Sequence, residues 1–161
     1  MIKGLHHNAY RCKDSEETRK FYEEFLGLPL MHAFEITQTK TGRQSQVLHS
    51  FFQMDDGSFL AFFEEPDEPF DFKEQRDFDL HIALEVSPDH LVNMLERGKA
   101  EGREIRGISD HNFIHSIYFR DPNGYVIELA AKTDQHNANT FDADAAHAVL
   151  KQWQQNKKAA L

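Results

Sequence analysis

The sequence predicts an α+β fold made of two βαβββ modules followed by a C-terminal helix. Two internal repeats carry this reading. Leu5-His6-His7-Asn8-Ala9 returns as Asp79-Leu80-His81-Ile82-Ala83. Gly57-Ser58-Phe59-Leu60-Ala61-Phe62 returns as Gly124-Tyr125-Val126-Ile127-Glu128-Leu129. Each half therefore runs from a His-bearing strand to a strand entered through a Gly turn. The modules span about 1–65 and 79–132 of a domain covering 1–132, and 133–161 hold a polar linker and an amphipathic helix.

The elements follow in order. Residues 5–12 read as a buried strand. Asp14 caps a helix with Glu17 as the other half of a capping box, Phe21, Tyr22, Phe25 and Leu26 form its apolar face, and Gly27 stops it. Residues 30–63 read as three strands, broken at Thr41-Gly42 and at Asp55-Asp56-Gly57. Residues 64–78, with two prolines, dense charge and Phe70, Phe72 and Phe78, read as a connector lying on the protein, and Glu64 and Glu65 as a solvated strand end.

The second half repeats the order. Residues 80–86 form a strand. Ser87 caps a helix with Pro88 at its first position, Leu91, Val92 and Leu95 face the core, and Gly102 ends it. Ile105 to Ile108 make a short strand, and Ser116 to Arg120 with Tyr125 to Ala130 make a hairpin. In its turn, Pro122 and Asn123 suit the two central positions of a type I turn, and Gly124 the left-handed residue that follows. That three-residue loop sets Asp121 against Tyr125 and Tyr118 opposite Glu128 on one face. From Asp142 onward Ala145, Ala146, Val149, Leu150 and Trp153 recur at helical spacing, a stripe expected to pack on the body or on a second subunit.

Composition excludes several classes. A net charge of -9 argues against nucleic acid, which demands clustered Lys and Arg. No stretch approaches the ~20 apolar residues of a membrane span, and the first residues lack the apolar run of a signal peptide. The single Cys12 makes no internal disulfide, so a reducing, cytoplasmic setting is expected.

The chemistry concentrates at the repeat. His7 and His81 are repeat mates, and Glu128 stands where the first half has Ala61. Two histidines and one carboxylate at equivalent positions are the donors of an open divalent-metal site. His6 neighbours His7 but is expected on the opposite face of the strand. His111 and His115 precede the hairpin. His32, His49, His90, His136 and His147 read as non-chemical. Phe51 stands ten residues before Ala61, as Tyr118 does before Glu128.

These residues resemble the vicinal oxygen chelate superfamily, which includes glyoxalase I, extradiol dioxygenases and bleomycin-resistance proteins. The resemblance covers residues 1–132, through Asp14, Phe21-Tyr22 and Leu26-Gly27-Leu28, then Asp121-Pro122-Asn123-Gly124 and Glu128. It implies mixed sheets curled around a metal held by His7, His81 and Glu128. Glyoxalase I has a further ligand at the position of Ala61, which is missing here. His111, Ile117-Tyr118, Asp121-Pro122, Gly124 and Glu128 are similar to the extradiol dioxygenase signature. The resemblance thus implies an Fe(II) enzyme, with Mn, Ni or Zn as alternative ions, using dioxygen to cleave an aromatic diol.

In that reading His111 is the acid–base group, Tyr118 hydrogen-bonds an oxygen, Phe51 walls the substrate pocket, and the chain is a homodimer. Two departures stand out: the well-known ring-cleaving enzymes have four modules, and they carry an acid–base His where this chain has Ser58. The alternatives are a non-redox lyase, isomerase or epimerase, and a binding module without catalysis.

Overall fold

Two four-stranded sheets organise the chain, one for each predicted module. The computed structural model describes residues 1–136 and 141–159, so the polar stretch expected after Lys132 lies partly outside the described residues. The chain divides into two compact units, Met1–His81 with Arg120–Ile127, and Ile82–Phe119 with Glu128–Leu161. None of the described helices is long and apolar enough to cross a membrane.

The first sheet contains β1 (Tyr10–Arg11), β2 (Leu30–Gln38), β3 (Gln44–Gln53) and β4 (Phe59–Glu64), in the order β1-β4-β3-β2. β1 runs parallel to β4, and the other pairs are antiparallel. The predicted strand over 5–12 is shorter than expected. Its ladder is reduced to Tyr10–Arg11 and one isolated bridge, His7 to Phe59. The cause is local: the Asn8 side-chain oxygen accepts the Ala61 N–H at 3.1 Å, taking a donor that a continuous ladder would give to backbone.

Asp14 caps α1 (Ser15–Arg19) by accepting the Glu17 N–H at 2.7 Å. The helix widens into a π-helical segment, Lys20–Phe25, and stops at Gly27, whose φ is +84°. Strand alternation then gives the first sheet two faces. On one, Phe52, Leu60 and Phe62 are buried, with Phe52 and Phe62 against Tyr22 of the helix at ring centroid distances of 5.6 and 4.7 Å. Burial of each such aromatic stabilises the unit by roughly 1.5–3 kcal/mol. The other face carries Phe51, Phe63 and Ala61.

Glu64 and Glu65 are not a solvated end. Glu64 accepts the Ser15 N–H at 2.7 Å, and Glu65 pairs with Arg11 and Arg43. These partners bring the start of the connector down onto the unit. Its Lys73 carbonyl would lie 2.9 Å from a Cβ at Gly124, which explains why that turn position has no side chain.

The second sheet has β5 (His81–Val86), β6 (Ile105–Asp110), β7 (Ile114–Arg120) and β8 (Val126–Lys132), in the order β5-β8-β7-β6. Ser87 accepts the His90 N–H and caps α2 (Pro88–Ala100). Leu91 and Leu95 are buried as expected, but Val92 is 47% exposed, and Met94 and Gly98 complete the buried stripe instead. A helix of 3.6 residues per turn sets 91, 94, 95 and 98 in one row and turns 92 away. The predicted strand near Ile105 extends to Asp110.

α3 (Ala143–Ala159) forms where its periodicity predicts, with Asp142 accepting the Ala145 N–H at 2.7 Å. Its apolar stripe is not covered by the described residues: Val149, Leu150 and Trp153 are 71%, 55% and 63% exposed.

One buried carboxylate ties much of the first unit together. Asp121 is 5% exposed and accepts from the Tyr22 hydroxyl at 2.9 Å, the Asn123 amide at 3.0 Å, and the backbone N–H groups of Asn123 and Tyr125. Burial pushes its pKa up, while these donors pull it down. Asn123 in turn accepts the Lys13 N–H at 2.8 Å, and the Tyr125 hydroxyl donates to the Arg11 carbonyl at 2.9 Å. Asp121→Ala leaves several buried donors without an acceptor and is expected to cost about 3–5 kcal/mol. Urea denaturation measures this, and an unchanged midpoint would show that the network is not structural.

Candidate functional site

The hairpin turn sets the geometry of the second unit's polar face. The Asp121 N–H donates to the Tyr125 carbonyl at 2.9 Å, the Gly124 N–H to the Asp121 carbonyl at 3.1 Å, and Gly124 has a φ of +98°. This is the three-residue loop expected from Pro122-Asn123-Gly124. Ser116 and Tyr118 then share a face of β7, and both hydroxyls donate to Oε1 of Glu128 on β8, the Tyr118 hydroxyl at 3.3 Å. Glu128 is 4% exposed.

His111 Nε2 lies 3.0 Å from the Tyr118 oxygen. Because Tyr118 gives its proton toward Glu128, the matching assignment is His111 Nε2–H donating to Tyr118. His111, Tyr118 and Glu128 are therefore joined in one hydrogen-bonded series. Burial and the neighbouring Glu128 charge raise the Tyr118 pKa. The Arg106 guanidinium sits over the Tyr118 ring, 4.4 Å from its centroid. His115 is exposed beside Asp110, as a surface histidine would be.

In the first unit His81 opens β5, and its Nδ1–H donates to the Asp77 carbonyl at 2.6 Å. A carbonyl only accepts, so this bond assigns the proton to Nδ1 and the lone pair to Nε2. His7 is exposed and lies edge-on to Phe51, with centroids 5.5 Å apart. His6 is not on the opposite face: the Nδ1 atoms of His6 and His7 are 2.7 Å apart. The segment is not a continuous strand at this point, so alternation does not separate the two rings. Phe51 pairs across the strands with Ala61, which is fully buried. The Ser58 hydroxyl, where the dioxygenase pattern has a histidine, donates to Asp56.

Two histidines read from the sequence as non-chemical join this face. His49 pairs with Phe34 and Phe63 in register, and His32 with Phe51. His49 stacks on Phe63 at 3.7 Å and tilts against Phe51 at 4.2 Å, while His32 lies 5.8 Å from Phe51. Burial lowers the His49 pKa. The signal in the sequence was parity, since 49 and 51 differ by two. The register that brings His32 beside them follows a shift between Leu30 and His32 that the sequence does not reveal.

The donor chemistry of His81 and Glu128 fits a divalent ion. Each has the outer hydrogen-bond partner that orients a metal ligand, a carbonyl on the far ring nitrogen of His81 and hydroxyls on the carboxylate of Glu128. His7 and His81 belong to one unit and Glu128 to the other. Among the described residues, no three His, Cys, Asp or Glu side chains are gathered in a metal-holding group.

Comparison with known proteins adds the following. A family profile described as the Glyoxalase/Bleomycin resistance protein/Dioxygenase superfamily matches residues 4–129. A metallothiol transferase FosB of Shouchella clausii is 26% identical, over 98% of this chain and 100% of that protein. A FosB of Staphylococcus saprophyticus is 27% identical, over 98% and 96%. A crystal structure of a mutant of the genomically encoded fosfomycin resistance protein FosX of Listeria monocytogenes, complexed with Mn(II) and 1S,2S-dihydroxypropylphosphonic acid, superposes with a TM-score of 0.62 at 26% identity. It covers 84% of this chain and 97% of that one.

If the Ser116 hydroxyl orients Glu128 toward an ion, Ser116→Ala weakens Mn(II) binding by about 10–100-fold without unfolding the chain. Calorimetric titration checks this, and equal affinity in the two proteins would remove Ser116 from that role.

Proposed function

Because the chain belongs to the glyoxalase/bleomycin resistance protein/dioxygenase superfamily, we propose that it is a metal-dependent enzyme whose small substrate offers two neighbouring oxygens to the ion. His7, His81 and Glu128 would hold that ion. When bound, it lowers the pKa of a chelating hydroxyl and holds the reactants together. The observation that carries the reading is the series from His111 through Tyr118 to Glu128. It joins an exposed acid–base group to a buried candidate ligand. With Glu128 committed to the ion, the Tyr118 hydroxyl would turn to a substrate oxygen, and His111, whose Nε2–H donates to the Tyr118 oxygen, would give its proton there and take it back. Phe51, flanked by Phe34 and His49, supplies an aromatic wall.

That wall favours a ring-bearing substrate, an aromatic diol, over a short aliphatic one. The reaction we favour is extradiol cleavage, in which both atoms of dioxygen enter the product and a ring carbon–carbon bond breaks; Fe(II) is the ion for that chemistry. A second reading has its own support. The FosB relatives match over nearly the whole chain and are metallothiol transferases, and the FosX relative holds Mn(II). On that reading His7, His81 and Glu128 would hold an ion that supplies Lewis-acid chemistry to a small oxygen-rich substrate for attack by a thiol or water, without redox change.

One set of measurements decides. The protein loaded anaerobically with Fe(II) is expected to consume dioxygen with a catechol. Consumption of fosfomycin and thiol with Mn(II), and no dioxygen uptake, would select the second reading. His81→Ala and Glu128→Ala should lose most of their metal by elemental analysis, and full retention in both would remove the ligand assignment. His111→Ala should keep its metal and lose activity by about 10²–10⁴. Normal turnover in that variant would move the acid–base role elsewhere.

The exposed stripe of Val149, Leu150 and Trp153 supports a homodimer formed through α3. Light scattering at micromolar concentration is expected to give twice the chain mass, and a monomer would remove the idea.

A further inference from the structure

We propose that His49 is a specificity residue that recognises a hydroxyl group on the substrate's ring, accepting its hydrogen bond at Nε2 while Phe34 and Phe51 hold the ring. This rests on the reading that the first sheet's aromatic face receives a ring-bearing substrate.

The imidazole of His49 is 5% exposed and lies among phenylalanines. Phe63 stacks on it within 13° of parallel, Phe51 is 4.2 Å away, and Phe34 is edge-on at 5.4 Å. Its Nδ1–H donates to the Phe62 carbonyl at 3.0 Å, which fixes the ring and assigns the lone pair to Nε2. Among the described residues no donor meets that lone pair. Nε2 is not among the buried polar atoms that lack a partner, so although the ring is buried its lone pair is open to a donor that arrives from outside the protein.

Packing alone does not explain a histidine here. A phenylalanine would keep the stack on Phe63 and the contact with Phe51, and would carry no acceptor to satisfy. What distinguishes the imidazole is the second nitrogen. The surroundings define what that nitrogen can meet. Phe34 is 40% exposed and nearly parallel to Phe51, with centroids 6.1 Å apart, so these two rings offer stacking area to a flat group. A donor arriving with such a group is a ring hydroxyl. Blocking that hydroxyl with a methyl removes the donor and keeps the ring.

The test uses the full chain freed of metal, so that chelation makes no contribution. Binding of catechol and of 1,2-dimethoxybenzene is measured by calorimetry for wild type, His49→Phe and His49→Gln, with folding checked by circular dichroism. One hydrogen bond corresponds to roughly a five- to tenfold preference for catechol in the wild type. In His49→Phe that preference is expected to vanish, with dimethoxybenzene affinity unchanged within about twofold. His49→Gln, which retains an acceptor, is expected to restore part of it, and it stands in for His49→Phe should that variant not fold, with a preference reduced below the wild-type value. A preference that survives unreduced in the variants would overturn the proposal. So would equal binding of the two compounds to the wild type, which would assign the lone pair to water. Both outcomes leave ring binding intact. Failure of the wild type to bind either compound would instead overturn the ring-bearing reading and the proposal with it.

Discussion

The carboxylate of Asp121 is the constraint on which the candidate chemistry depends. It folds the turn back on itself through the Asn123 and Tyr125 N–H groups and anchors that turn to the Tyr22 hydroxyl. A turn held in this form admits one hairpin register. That register sets Ser116 and Tyr118 on the face of Glu128. A one-residue slip would turn every side chain of one strand to the other face and separate Glu128 from both hydroxyls. The precision of a surface-reaching polar series thus rests on a buried ion in the adjoining turn.

The two units carry different chemistry. The second holds the carboxylate and hydroxyls, with His111 and the Arg106 cation beside Tyr118. The first holds the aromatic and imidazole face, on which the His49 ring is fixed by its bond to the Phe62 carbonyl. Division of this kind suits a repeated module. Each copy keeps one face of its sheet for its own core, and the second face is open to specialise. In the first sheet Phe52 and Phe62 serve the helix, and Phe51 and Phe63 are turned away from it.

Much of this was legible in the sequence. The repeat gave the succession of elements along both modules, Asp14 and Ser87 marked their helices, and Pro122-Asn123-Gly124 named its own loop. These signals are local, and local geometry enforces them. What escaped depended on longer-range pairing. His32 and His49 could be matched with Phe51 only once the β2–β3 register was known, including its irregularities. His6 was assigned to the wrong side because Asn8 interrupts the ladder with its own side chain. Val92 sat next to a true core position, and a helix row cannot be phased to one residue from hydrophobicity alone. The proposed ligands His7, His81 and Glu128 are read from a repeat correspondence, and among the described residues no three His, Cys, Asp or Glu side chains are gathered in a metal-holding group.

Ala61 has a consequence for the history of such a chain. It is fully buried and faces Phe51 across the strands. Acquiring a carboxylate there would take more than one codon change, since the longer side chain would contend with the Phe51 ring. An overpacked intermediate of this sort is commonly destabilised by about 1–3 kcal/mol. Positions 61 and 51 are therefore expected to change together across descent, large beside small, so that a carboxylate at 61 arrives with a smaller partner at 51.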